Sequence, residues 1–329
     1  MTINLMTCGP LAGVGFTGGT YQGTPTGGRN GGYRITFWDN GGAYKTVPAR
    51  ADYYVKSCWY ETTTGRGAEI TFWEGAVCHV TVQVLFNTDP AAATLKVFRG
   101  TNAGTQLGAT VYPNIGLSIW HCVEVYCKVD DSAGVVTVKV NGATQVSLIN
   151  QDTRNAGAAG TIDQVKLLTL TSNAGLYLDD VVIRDDAWPG VGTLQLLYPT
   201  GVGSNSDWTP SAGNAYACVD DLSMTDYISH DATIAGHKHD FAMADLTGTY
   251  TAIPAVAVIG LGSLDSPGAG SERLYAVSGA GSVEGTAQAL SDTTGVYLPT
   301  IYMALDPDTG TPAWTKTSVN ALVAGVETQ

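Results

Sequence analysis

The stretch Trp120–Val146, "WHCVEVYCKVDDSAGVVTVKVNGATQV", decides the fold class. Its first part alternates, with Val123, Val125, Cys127 and Val129 on one side and Cys122, Glu124 and Tyr126 on the other. Successive side chains of an extended chain point to opposite faces, so this is a strand with one buried face. "GVVTVKV" repeats the pattern and runs into Asn141-Gly142, a pair that accepts the positive φ of a two-residue hairpin turn. A returning strand follows at "ATQV".

The same period extends outward. "ADYYVKSCWYE" sets Tyr53, Val55, Ser57 and Trp59 against Tyr54, Lys56, Cys58 and Tyr60. "CHVTVQVLF" alternates through Val80, Val82 and Val84, and "GLYLDDVVIRDD" is a further strand that closes near Trp188-Pro189-Gly190. No helical period longer than about ten residues precedes residue 190, and turn signals recur roughly every ten residues, which predicts an antiparallel sandwich. Composition agrees. Gly is 41 of 329 residues and charged residues are only 14%, while 44% are hydrophobic. Short strands, Gly-rich turns and a real core follow, not disorder.

"DDAWPGVGTLQ" marks a boundary, giving expected domains at 1–190 and 191–329. Residues 1–50 are expected to be an attachment segment or the first strands of the sandwich. The second domain is expected to hold strands at "AYACVDDLS", "AIPAVAVIGLG", "ERLYAVSG" and "VYLPTIYMAL". It closes with a short helix in "WTKTSVNALVAGV", capped by Thr317 and ended by Gly325. The net charge of −13 is uneven: residues 1–190 hold 15 acids and 13 bases, residues 191–329 hold 14 acids and 3 bases. A surface so poor in Lys and Arg does not neutralise phosphates, so no nucleic-acid partner is expected.

The start, "MTINLMTCGPLAG", has no basic n-region followed by an apolar core, so no signal peptide is expected. "AIPAVAVIGLG" is about half the length that crosses a bilayer and Pro254 interrupts it, so no membrane insertion is expected. Synthesis in the cytoplasm is therefore expected. The six cysteines, Cys8, Cys58, Cys78, Cys122, Cys127 and Cys218, form no C-x-x-C pair and are expected as buried free thiols. Cys122 and Cys127 have opposite parity on one strand and cannot pair with each other.

"WHCVEVYCKVDDSAGVVTVKVNG" with "LYLDDVVIRDD" resembles the later strands of the concanavalin A-like (laminin G-like) jelly roll. "LLYPTGVGSNSDWTPSAGNAYACVDDLSMTDYIS" with "LDPDTGTPAWTKTSVNALVAGV" is similar to the C-terminal region of structural proteins of tailed bacteriophages and prophages. The resemblance covers most of residues 50–329 and only weakly residues 1–50. It implies a virion structural protein, exposed on the particle as a tail fibre, a collar or baseplate appendage, or a capsid decoration. Other virion proteins are its implied partners, and a homo-oligomer, with a trimer favoured, its implied assembly. It implies no catalytic residues.

One strand of that fold bears on chemistry. "RGAEITFWEG" (66–75) resembles the E-I-D-x-x-E signature of laminarinase-type glucanases, which share the fold, but Thr71 stands where their middle acid would be. Retaining hydrolysis needs two carboxyls on one side, about 5 Å apart. Glu69 and Glu74 are five positions apart, so an unbroken strand turns them to opposite faces and only a bulge unites them. The chain is therefore expected not to be an enzyme, a glycan depolymerase being the remote alternative. Trp73 between two acids instead suits contact with a sugar, so Glu69, Trp73 and Glu74 are the candidate carbohydrate-binding residues and a lectin that recognises host surface polysaccharide is the alternative function. In "HKHD", His237 and His239 share a strand face at metal-ligand spacing, with His230 or Asp231 as further ligands; the ligand set is incomplete, and no metal or cofactor is expected. The acids of "DDVVIRDD", "VDDSAG", "VDDLSMTD" and "LDPDTG" read as turn and strand-end residues rather than calcium ligands, since neighbouring Asp residues in a strand point to opposite faces.

Overall fold

Alternation becomes two antiparallel sheets in the first of two units, Met1–Leu194 and Gln195–Gln329. The computed structural model describes residues 3–7, 16–17, 21–24, 29, 34–37, 41–155, 159–170, 176–220, 226–230, 234–264, 270–290, 296–311 and 314–329. Its first strands are β1 (Ile3–Thr7), β2 (Phe16–Thr17), β3 (Tyr21–Thr24), β4 (Arg34–Phe37) and β5 (Gly42–Arg50). Then come β6 (Asp52–Glu61), β7 (Gly67–Glu74), β8 (Val77–Leu85), β9 (Thr94–Arg99) and β10 (Thr105–Val111). The last are β11 (Trp120–Lys128), β12 (Gly134–Val140), β13 (Ala143–Gln151), β14 (Ile162–Thr169) and β15 (Leu176–Arg184).

One sheet runs β13-β12-β11-β6-β15-β4-β3, with β1 also on β15; the other runs β10-β9-β8-β7-β14-β5-β2. The described parts of residues 1–50 thus supply strands to both sheets. The expected fold class is the one observed: an all-β, concanavalin A-like antiparallel sandwich followed by a smaller β-rich unit with a short C-terminal helix.

The facing sides form the core. Tyr53, Val55, Trp59, Val123, Val125 and Cys127 of one sheet and Ile70, Phe72, Val80, Val82, Val165 and Leu167 of the other are all buried. Removing such area from water is the main stabilising term, at about 25 cal/mol per Å². The hairpin at Asn141-Gly142 is as expected, with φ of 50° and 83°, the two positive values of a type I′ turn.

The outer face of the first sheet differs from a plain solvated face. Lys56, Cys58, Cys122, Glu124, Asp179 and Asp180 lie there and are buried nonetheless, because Arg29 and residues 190–194 pack over them. Lys56 Nζ donates to the Gly192 carbonyl, Gly190 N–H to Glu124 (2.6 Å) and Leu194 N–H to Asp180 (2.8 Å). Arg29 donates its backbone N–H to Asp179 (2.7 Å) and its guanidinium to Asp180 (2.8 Å). The expectation that neighbouring acids diverge is corrected at Asp179-Asp180. Asp180 takes a φ of 51° within a register shift between Asp179 and Val182, and this bulge turns both carboxyls onto Arg29.

The expectation of free thiols is also corrected. Cys78, Cys127 and Cys218 are free and buried, but Cys58 and Cys122 form a disulfide. The reason is register: β11 and β6 pair so that Cys122 sits directly opposite Cys58, on the same outer face.

In the second unit a sheet runs Pro199–Ser206, Lys238–Met243, Val323–Thr328, Ser271–Ser278, Gly281–Glu284. Expected strands are present at Ser271–Ser278, Val256–Val258, Leu261–Gly262 and Ile301–Met303. Two expectations are corrected. "AYAC" is a 3-10 turn, Ala215–Cys218, not a strand. The helix is Lys316–Asn320, capped by Thr315 rather than Thr317, with Thr315 and Ser318 closing a capping box. Gly325 does not end it; it lies in the strand Val323–Thr328, where an added Cβ would stand 2.4 Å from the His239 carbonyl oxygen. Leu274, Ala276, Met303, Trp314, Val319 and Leu322 are among the core residues of this unit.

Candidate functional site

Strand β7 settles the arrangement of the candidate residues. Its ladder with β14 is unbroken from Ala68 to Trp73, so Glu69, Thr71 and Trp73 share the outer face and Ile70 and Phe72 turn to the core. The irregularity is on β8, where Phe72 pairs with Val80 and Trp73 with Cys78, leaving His79 as the extra residue. Glu69 and Glu74 are therefore on opposite faces and do not form the close pair that retaining hydrolysis requires.

Each glutamate holds a loop. Glu69 is 5% exposed and accepts from Gln83 Nε2 (3.1 Å) and from Asn102 Nδ2 (2.8 Å) in the turn between β9 and β10. Burial pushes its carboxyl above the usual carboxylate range, against the pull of those two hydrogen bonds. Glu74 accepts three successive backbone N–H groups, from Ala159 (3.1 Å), Gly160 (3.0 Å) and Thr161 (3.2 Å), in the connection between β13 and β14. Burial by itself would raise its pKa, but these bonds and one from His79 outweigh it and hold the carboxyl down at about 2. His79 Nδ1 accepts from the Asn155 backbone N–H (3.2 Å), so the ring proton sits on Nε2 and is donated to Glu74 (3.1 Å).

Beside the β9–β10 turn lies a cleft of about 510 Å³, lined among others by Trp73, Val77, Arg99, Gly100, Thr101 and Asn155. The Trp73 ring is fixed in place. Its Nε1–H donates to Thr71 Oγ1 (2.7 Å), and Lys166 Nζ stands 3.6 Å from the ring centroid, which covers one face of the indole. Asn155 is fixed too, through Nδ2 to the Cys78 carbonyl (3.0 Å). Arg99 pairs with Asp152. The result is an aromatic surface, amide and guanidinium donors and a hydroxyl around one shallow cavity, a combination that suits a polar ligand with apolar ring faces.

Of the three residues expected to bind carbohydrate, Trp73 lines the cleft, Glu69 holds the β9–β10 turn at its side through Asn102, and Glu74 holds residues 159–161, which do not line it. Asn102, Asn155, His79, Arg99 and Lys166 were not legible as partners. They lie on other strands and loops, as far as Asn155 and Lys166 from β7 in the chain, and the only sequence signal is that their types are polar.

The other candidate clusters resolve differently. His239 is buried and its Nδ1 accepts the Trp208 N–H (3.2 Å), and the His230 and His237 rings lie 4.2 Å apart. Asp240 turns away to take the Tyr275 hydroxyl (2.9 Å) and Asn205. Asp231 lies outside the described residues. Asp130 caps a turn through Ser132 and Ala133 N–H, and Asp306 accepts Ser278 Oγ (2.8 Å). In "VDDLSMTD", residues 221–225 lie outside the described residues. Among the described residues no group of three or more His, Cys, Asp or Glu is placed to hold a metal ion, and no helix is long and apolar enough to cross a membrane.

No protein-family model and no curated protein matches the chain. Solved structures similar to it include an alginate lyase in complex with an alginate tetrasaccharide, 15% identical with a TM-score of 0.38, covering 53% of this chain and 95% of that one. A carbohydrate-binding module, CBM66 from Bacillus subtilis, is 11% identical with a TM-score of 0.36, covering 52% and 96%. A tetrameric galectin from Cinachyrella sp. is 12% identical with a TM-score of 0.33, covering 43% and 96%. At these identities the likeness bears on fold alone. The expectation that the chain is not an enzyme is corrected by the first of them, since proteins similar to it in structure include an enzyme as well as lectins.

Proposed function

We propose that the first unit binds a carbohydrate chain in the cleft beside Trp73, and that the protein does so as a homo-oligomeric surface component of a tailed-phage particle, in contact with host surface polysaccharide. The observation that carries the binding reading is the immobilised Trp73 in the lining of a cleft beside the β9–β10 turn that Glu69 of the same strand ties down through Asn102. A rigid indole and fixed donors spare a sugar the entropy of ordering its own site. The virion reading is supported by the phage-like segment Leu196–Ser229 and by its pairing with a jelly-roll unit. A glycan array printed with bacterial capsule and lipopolysaccharide chains tests the first part: reproducible binding by the whole chain, absent from Trp73→Ala, is the expected result. Gold-labelled antibody on intact particles, seen by electron microscopy, tests the second. Label on the particle surface is expected, and unlabelled particles contradict it.

A further inference from the structure

One side of the sandwich is built differently from the rest of this acidic chain. Strands β10 and β13 are the last strands of their two sheets and pack against each other across the sandwich. From Gly100 to Trp120, and again from Val140 to Gln151, there is not one Asp, Glu, Lys or Arg. Two of the four charges that bound these stretches, Arg99 and Asp152, pair with each other. Along β10 and β13 most residues are exposed, and Ile149 (62%) and Tyr112 (61%) are among the most exposed large apolar side chains described.

Natural sheets guard such edges. An outermost strand offers a row of unpaired N–H and C=O groups to any other strand, and charged side chains, prolines or very short length normally deter it. β13 is nine residues long, "ATQVSLINQ", without proline or charge; its one guarding feature is a pair of register shifts against β12, which leave Val146–Leu148 as its regular run. The net charge of −13 makes two copies of the chain repel. A second copy meets no like charge only where the surface is neutral, and this edge is such a surface.

We infer that β13 is a self-association edge, along which two copies pair antiparallel about a two-fold axis and join their eight-stranded sheets into one. Two-fold pairing is isologous, so each residue meets its mirror position on the partner. A symmetric register centres on Ser147 in the regular run, with Val146 opposite Leu148 of the second copy. Backbone hydrogen bonds supply the affinity, and the exposed Ile149 and Tyr112 are covered at the contact. This assembly is a dimer, unlike the trimer that the sequence resemblance favours.

Analytical ultracentrifugation of the whole chain at tens of micromolar, with Ser147→Lys and Ser147→Glu, tests it. The wild type is expected at twice the chain mass of 34.2 kDa and each variant at the single mass, with unchanged circular dichroism. An equimolar mixture of the two variants is expected to return to the doubled mass, because opposite charges then face each other across the axis. A monomeric wild type overturns the inference. So does a trimer, or an oligomer that persists in both variants, or a mixture that stays monomeric.

Discussion

Glu69 and Glu74 stand on opposite faces of one regular strand, and each carboxylate closes on a separate loop: Glu69 on Asn102 and Glu74 on the backbone of residues 159–161. The pair that resembles a catalytic dyad in the sequence thus works as two clamps on two separate loops, the one held by Glu69 lining the cleft at Trp73.

The clamps act independently. Glu74→Ala strands the half-buried N–H groups of Gly160 and Thr161 and the exposed one of Ala159, and is expected to lower stability by about 1–3 kcal/mol. Hydrogen exchange should quicken at Gly160 and Thr161 and stay unchanged at residues 100–104. Glu69→Ala should do the reverse. Equal loosening of both loops in either variant would show that the two loops move as one body.

Two carboxyls set opposite pH dependences. Burial, and next the charge of Asp180, raise Asp179 to about 7, so the folded state holds its proton more tightly than the unfolded chain. Its contribution is complete below the ordinary Asp range and is lost as pH rises through about 7. Glu74, held down at about 2, contributes above the ordinary Glu range and loses that contribution as pH falls toward 2. Thermal melts from pH 2 to 8 should show both limbs. Asp179→Asn, which fixes the neutral state, should flatten the limb between about pH 4 and 7 and leave the acid limb in place.

The Cys58–Cys122 bond spans 64 residues. Loop-closure entropy for that length gives about 4 kcal/mol of stabilisation in the chain-entropy model. Cys58→Ser with Cys122→Ser should therefore shift urea unfolding of the first unit to lower concentration, and a reductant should shift the wild type alike. A reductant that leaves the wild-type midpoint unmoved would mean that the two thiols are not joined.

What the sequence discloses here depends on period. Val80, Val82 and Val84, or Tyr53, Val55 and Trp59, announce their buried face because a strand with one wet side has to alternate, and Asn141-Gly142 announces its turn because both residues need positive φ. Register is not local. The facing of Cys58 and Cys122 follows from which residues of β6 and β11 pair, and no window of either strand contains that information. In the second unit the helical run after Thr315 continues in composition through Leu322 to Gly325, yet the chain changes to a strand. Gly325 belongs there because the neighbouring backbone at His239 leaves no room for a side chain. The site was half legible: an aromatic between acids drew attention to β7, but whether those acids met a ligand or a loop depended on Asn102 and residues 159–161.

Titration calorimetry with polysaccharide purified from the host surface, on the wild-type chain and on Trp73→Ala, tests the central claim most directly. Saturable binding by the wild type is expected, weakened at least roughly tenfold in the variant, as stacking losses of about 1.5 kcal/mol or more produce, with the melting midpoint unchanged. Equal affinity in the two proteins would contradict the account.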